Sequence, residues 1–231
     1  MEETLPAKGD RVIIAVDGPA GAGKGAVCRA VAERFGLAYL ETGAIYRAVG
    51  LLALRQGVSD EAGLAELART MPFSFRSVGP GRFGAYLGEE EVTAQLREEA
   101  VGEAASKAAA LPEVRRALLH FQRGYGGPPG VILDGRDVGT VVWPEADLKI
   151  FLTASLEERA KRRALELREK GETASLEEIR QRMAERDARD SSRTHAPLLP
   201  ATDAVTLDTT PLTLDESIAR VTLLVASVLH P

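Results

Sequence analysis

Apolar residues gather in short runs along this chain, at Val12 to Asp17, Ala38 to Leu40, Val131 to Asp134, Leu148 to Leu152 and Ala204 to Leu207. Between most of them, apolar positions recur at steps of three and four. The short runs predict buried strands and the longer periodic stretches predict helices. Strands alternating with helices predict an α/β fold, a parallel sheet covered by helices on both faces. The final periodic run, Leu214, Ile218, Val221, Leu224, Val225 and Val228, predicts a helix that covers that sheet. Two regions break the alternation. Phe73 to Val92 carries short alternating pieces around Gly79-Pro80-Gly81, Gly84 and Leu87-Gly88, and predicts a small antiparallel hairpin outside the main sheet. Ser155 to Arg193 is dense in charge and predicts exposed helices.

The first strand delivers the chain to Gly18-Pro19-Ala20-Gly21-Ala22-Gly23-Lys24-Gly25, and a helix-like stretch from Ala26 to Phe35 follows. The spacing G-x-x-x-x-G-K between a strand and a helix is that of a phosphate-binding loop. Glycines at 18, 21 and 23 let backbone N–H groups converge on a polyphosphate without side chains in the way. The helix N-terminus adds its dipole, and Lys24 adds a point charge for the outer phosphates. Gly25 and Ala26 stand where the pattern places a hydroxyl. A magnesium ion would therefore be held by phosphates, waters and a carboxylate rather than by this loop.

Composition narrows the class without naming a ligand. The chain has 231 residues, 45% hydrophobic and 27% charged, with a net charge of -5. Length suits one core with an insertion. No segment approaches a membrane span, and the start, MEETLPAKGD, lacks an apolar signal core, so a cytoplasmic protein is expected. The negative balance argues against broad nucleic-acid binding. Cys28 is the only cysteine and reads as a packing residue, while His120, His195 and His230 are too scattered for a zinc site. Of 29 basic residues, 6 are lysine and 23 arginine. Guanidinium suits bidentate phosphate contacts, although genome composition gives the same bias.

Two arginine sets have helical spacing, Arg159, Arg162 and Arg163, then Arg186, Arg189 and Arg193 beside Asp190. Phosphoryl transfer needs positive groups that neutralise charge on the transferred group, and a closing arginine-rich segment supplies them while excluding water. Two more motifs fall at strand ends, where ligands bind in such sheets. In Glu41-Thr42-Gly43-Ala44-Ile45-Tyr46-Arg47, Thr42 and Arg47 suit phosphate oxygens. In Leu133-Asp134-Gly135-Arg136-Asp137, Asp134 suits a magnesium-bound water, and Arg136 and Asp137 face the cleft. A guanine-binding switch would carry N-K-x-D, which is absent here.

The blocks GPAGAGKG, ETGAIYR, EAASKAAALPEVRRAL, DGRDVGTVV, KIFLTASLEERAKRR and ERDARDSSR together resemble the bacterial cytidylate kinase family, from about Val12 to the last helix. Lysine followed by glycine is also similar to nucleoside monophosphate kinases generally. The chain departs from that pattern at Ala26, where a hydroxyl is common, and at Glu41-Thr42, where Asp-Ser is frequent. The resemblance implies a three-layer P-loop fold with five parallel strands, divided as core 1–41, monophosphate-binding segment 42–128 with the insertion 73–92, core 129–154, lid 155–196 and core 197–231. It implies ATP held by Gly18 to Gly25 with Arg159 and Arg162. It implies an acceptor, CMP or dCMP, held by Thr42, Tyr46, Arg47, Ser106, Arg115, Arg136, Asp137, Arg186, Asp190 and Arg193. Lys24, Arg136, Arg186 and Arg193 would be catalytic, and Mg²⁺ would accompany ATP without direct protein ligation. Small-molecule substrates, no membrane or nucleic-acid partner and a monomer are the corresponding expectations.

Overall fold

The computed structural model describes residues 11–79, 82–169, 171 and 174–229. The opening decapeptide, Pro80, Gly81 and His230 therefore lie outside the described residues. Five of the strands form one parallel sheet: β1 (Val12–Asp17), β2 (Ala38–Glu41), β6 (Gly130–Gly135), β7 (Leu148–Thr153) and β8 (Val205–Asp208), in the order β2-β6-β1-β7-β8. All four pairings are parallel, with β1 in the middle. Every expected strand is present to within a residue or two.

The sequence of β1, VIIAVD, is almost wholly buried because both faces of a central parallel strand are covered. Ile13 and Ala15 face one apolar layer, built largely from α2 (Thr42–Gln56), α3 (Glu61–Thr70), α4 (Glu99–Ala108) and α5 (Pro112–Arg123). Ile14 and Val16 face the other, built from α1 (Lys24–Phe35) and α8 (Leu214–Leu229). Such a strand needs continuous hydrophobicity rather than alternation. Truncating Ile132, fully buried on β6, to alanine would cost about 2–5 kcal/mol.

Helix boundaries follow local chemistry. α1 begins at Lys24, two residues earlier than expected, and stops at Gly36, whose φ of 65° lets its N–H turn back to Ala32 and Glu33. Pro112 opens α5, where its missing N–H costs nothing. α8 forms as expected and buries Val221 and Val225, but Leu214 at its first turn stays 51% exposed.

The insertion is three-stranded rather than a simple hairpin. β3 (Phe73–Gly79) and β4 (Arg82–Leu87) pair antiparallel, and the short β5 (Glu90–Glu91) joins β4. Phe73 and Phe75 contact the rings of Phe121 and Tyr125 and so fasten this sheet to the end of α5. The charged stretch forms α6 (Leu156–Glu169) and α7 (Leu176–Ser191), which share a small apolar seam of Ala160, Leu167, Ile179 and Met183. A capping box of Ser175 and Glu178 starts α7.

Candidate active site

The donor loop is shaped by close backbone approach. A side chain at Gly18, with φ of 150°, would put its Cβ 1.9 Å from the Leu152 carbonyl oxygen, so only glycine lets the loop leave β1 beside β7. Gly21 and Gly23 have φ of 76° and 87°, conformations that glycine adopts without strain. Gly23 leads directly into α1, and the helix's first amides face the loop. Lys24 is buried, donates to the Pro19 carbonyl at 3.1 Å and lies 3.6 Å from the Asp134 carboxylate. Burial first, and then Arg136, lowers its pKa to about 8, with Asp134 opposing.

The strand ends hold the middle of the site. Asp134 also accepts from the Tyr39 hydroxyl at 3.3 Å. Thr42 donates to the Asp134 carbonyl at 2.8 Å and thereby fixes the start of α2 against β6. Among the described residues no group of three or more His, Cys, Asp or Glu side chains could hold a metal ion. With Gly25 and Ala26 lacking hydroxyls, the residues present suit a cation carried by the triphosphate rather than one held by the loop.

On the acceptor side, Arg115 and Asp137 form a close ion pair, both nearly buried. Arg115 also donates to the Ala109 carbonyl at 3.0 Å and lies over the ring of Tyr46 at 5.4 Å. Ser106 on α4 is buried, and its hydroxyl has no hydrogen-bond partner among the described residues. Arg47 donates to the Leu96 carbonyl at 2.7 Å, and a side chain at Gly102 would run into its guanidinium. Asp190, 1% exposed, accepts from Arg136 Nε at 3.1 Å and pairs closely with Arg193. Arg186 completes the group. Burial and then the positive charge of Arg136, with Arg47 and Arg193 adding to it, push its pKa down to about 10, and Asp190 opposes them. The Nε atoms of Arg186 and Arg193 are buried without partners among the described residues. Cations here outnumber carboxylates, since Asp190 is shared by Arg136 and Arg193 and Arg186 is left among them, which is the electrostatic condition for binding an anion.

The α6 arginines sit differently. Arg159 is 5% exposed and donates to the carbonyls of Ala154 and Ala20 at 2.9 and 3.1 Å, while its other end meets Asp187 at 2.7 Å. Arg162 donates to Thr209 Oγ1 and the Thr209 carbonyl and reaches Glu158. Both therefore flank the donor loop with nitrogens already engaged by protein. The expected single helical face stops short of Arg193, because α7 ends at Ser191 and Arg193 reaches back to Asp190 from the segment after it, while Arg189 is exposed because its position turns out from the face carrying Arg186 and Asp190. Cys28 is buried in α1, as a packing residue would be.

Asp17 was not among the sequence candidates. It ends β1, is 4% exposed, and accepts from the Val138 and Gly139 amides at 2.8 Å each. Burial raises its pKa to about 6, while those two amides pull the other way. The signal was an acid closing an otherwise apolar buried strand, immediately before the glycine loop.

A parallel sheet with a glycine loop and buried lysine at the end of its central strand, facing a second anion site under a helical cover, defines a P-loop phosphotransferase. The cytidylate kinase family model matches residues 14–227, and the chain belongs to that family. It is 60% identical to a cytidylate kinase of Magnetococcus marinus over 221 residues, covering 96% of this chain and 98% of the relative. A cytidylate kinase of Pectobacterium carotovorum is 50% identical over 210 residues, covering 90% and 93%. Among solved structures, a shikimate kinase from Bacteroides thetaiotaomicron aligns over 95% of this chain and 99% of its own at 14% identity and a TM-score of 0.44.

Proposed function

We propose that this chain transfers the terminal phosphoryl group of ATP to CMP, and also to dCMP, giving the diphosphate. The observation that carries the acceptor assignment is the ready-made Arg115–Asp137 pair, together with the buried, unpartnered Ser106 hydroxyl on α4. Cytosine presents an exocyclic amine next to ring acceptors. Asp137, held in place by Arg115, accepts from that amine, while Arg115 and Ser106 donate to the acceptors. Uracil would set an oxygen against the Asp137 carboxylate, and a buried carboxylate without its donor is strongly unfavourable.

Arg47, Arg136, Arg186 and Arg193 are the groups that would hold the acceptor phosphate. An oxygen of that phosphate attacks the γ-phosphorus of ATP while the bridging β–γ bond breaks, so no covalent enzyme intermediate is needed. The protein's part is to hold two mutually repelling anions in line and to neutralise the charge spreading over the transferred group. Lys24 and the α1 amides hold the donor side, Arg159 and Arg162 flank it, and Arg136, Arg186 and Arg193 bridge to the acceptor. Mg²⁺, bound with ATP, would screen the phosphate oxygens, with Asp134 oriented toward its water. We read α6 and α7 as a lid over the core and α2 to α5 as the acceptor-binding segment. Closing that lid removes water, which otherwise competes as an acceptor.

We take the chain to act as a monomer. No helix among the described residues is long and apolar enough to cross a membrane, which agrees with work on cytoplasmic nucleotides. The test is an acceptor panel of CMP, dCMP, UMP and AMP with ATP and Mg²⁺. CMP and dCMP should be preferred, and equal use of UMP would overturn the base assignment. Asp137→Asn should then shrink the CMP-over-UMP ratio of kcat/KM by about 1–3 kcal/mol, because an amide can also donate to the uracil oxygen.

A further inference from the structure

Asp137 occupies the residue before a single π-helical turn, Val138–Val142, and its carbonyl accepts from the Val141 and Val142 amides. Aspartate in that place ordinarily turns its own carboxylate onto the first amides of the turn, which otherwise have no partner. Here it makes no such bond. The first two amides, of Val138 and Gly139, instead donate to the two carboxylate oxygens of Asp17, 121 and 122 residues away in the chain. The Asp137 carboxylate is thereby released to pair with Arg115.

From this substitution of one cap for another, we infer that Asp17 is a positioning residue for base selection, holding the turn so that Asp137 faces the acceptor base. The inference rests on the assignment of Asp137 to cytosine. Asp17 also has a second connection. It is the covalent neighbour of Gly18, whose conformation is fixed against Leu152, so one side chain ties the entrance of the donor loop to the base reader. In β1 it pairs with Gly135 of β6, two residues before Asp137, so the frame is short and stiff. Both carboxylate oxygens are in use, and each faces an N–H. An amide in the same place accepts one of those bonds and sets its own NH₂ against the other donor. With one amide of the turn left without a partner, Asp137 is the nearest acceptor that can replace the lost bond, and in doing so it leaves Arg115 and the base.

The experiment compares unmodified enzyme with Asp17→Asn on CMP and UMP at saturating ATP, and then on ATP at saturating CMP. We expect the CMP-over-UMP ratio of kcat/KM to fall about tenfold, KM for CMP to rise, and KM for ATP to move by less than about twofold. A residue that merely supports the fold would raise both KM values together and leave the base ratio alone, and that result would overturn the inference. Absence of a CMP preference in the unmodified enzyme would instead remove the Asp137 assignment itself. If the variant does not fold, amide hydrogen exchange on the unmodified protein without nucleotide decides. Val138 and Gly139 should be protected, and exchange as fast as at the loop residue Gly127 would show that the cap does not hold the turn.

Discussion

The arginines of α6 and those on and just after α7 have the same side-chain chemistry and similar spacing in sequence, yet the fold uses them in opposite ways. Arg159 and Arg162 spend their guanidinium nitrogens on carbonyls, Thr209, Glu158 and Asp187. Arg186 keeps a buried Nε without a partner among the described residues and crowds against Arg136, Arg47 and Arg193, and Arg193 likewise leaves its Nε unpartnered although its other end pairs with Asp190. A buried guanidinium whose donors are satisfied serves the structure around it. One left short of acceptors and close to like charge raises the energy of the empty site, and an arriving phosphate relieves that energy. Partner satisfaction, more than position on a charged helix, separates the two roles.

Arg186→Ala attacks the unsatisfied side and should have the largest effect. We expect turnover to fall about 10³-fold, in line with the loss of an arginine that meets transferred-phosphoryl charge. Melting temperature should hold or rise, because a buried cation repelled by Arg136, Arg47 and Arg193 has been removed. A variant that lost stability without losing turnover would erase the distinction. Arg159→Ala attacks the satisfied side. It leaves the Asp187 carboxylate without its cation and frees the Ala20 carbonyl of the donor loop. Breaking one side of a buried pair costs about 3–5 kcal/mol. Chemical denaturation should show that loss directly, with the turnover of the remaining folded enzyme much less affected than in Arg186→Ala.

The sequence made one kind of information plain and hid another. The strand, glycine loop and helix from Val12 to Phe35 are contiguous, so their chemistry is readable from local order alone. The strand ends at Asp134 and Thr42 were readable for the same reason, since the carboxyl edge of a parallel sheet is where sites form. Spacing also grouped Arg186, Asp190 and Arg193. It grouped Arg189 with them incorrectly, because steps of three and four define a broad face and only packing against the core decides which edge of it is buried. Commitments such as Arg159 to Ala20 span 139 residues and have no local signature. Asp17 was hidden for the same reason, since its partners are backbone amides on another loop. The third strand at Glu90–Glu91 was hidden because two exposed acids carry no alternating pattern.

A smaller effect separates the two halves of the site by titration. Lys24 on the donor side has a pKa lowered to about 8, so the free enzyme loses that cation as pH rises through 8. Phosphate binds the protonated form, so kcat/KM for ATP should be highest below about pH 7, fall to half at about pH 8 and then decline toward tenfold per pH unit. The acceptor side is held by arginines, and even Arg186 stays charged until about 10. Accordingly kcat/KM for CMP at saturating ATP should stay level to about pH 9, through the range in which that for ATP has already halved at about pH 8, since bound ATP keeps Lys24 protonated. Parallel declines for both substrates would mean that one group governs both halves.

The smallest effect is expected at Arg189, where spacing and structure disagree. On spacing alone, Arg189→Ala should resemble Arg186→Ala. In the folded protein Arg189 is exposed, whereas Arg186 and Asp190 turn inward on the same helix. An exposed cation gains little from any neighbour because water screens it, and replacing it changes stability by only about 0.5 kcal/mol. Turnover and both KM values should therefore remain within about twofold of the unmodified enzyme. Steady-state kinetics at two salt concentrations checks this, since a long-range attraction for nucleotides would appear as a loss at low salt that vanishes at high salt. A loss of turnover comparable to that of Arg186→Ala, at both salt concentrations, would mean that α7 rotates on closing to bring Arg189 inward. Partner satisfaction in the structure described would then be a poor guide to which arginines meet the transferred phosphate.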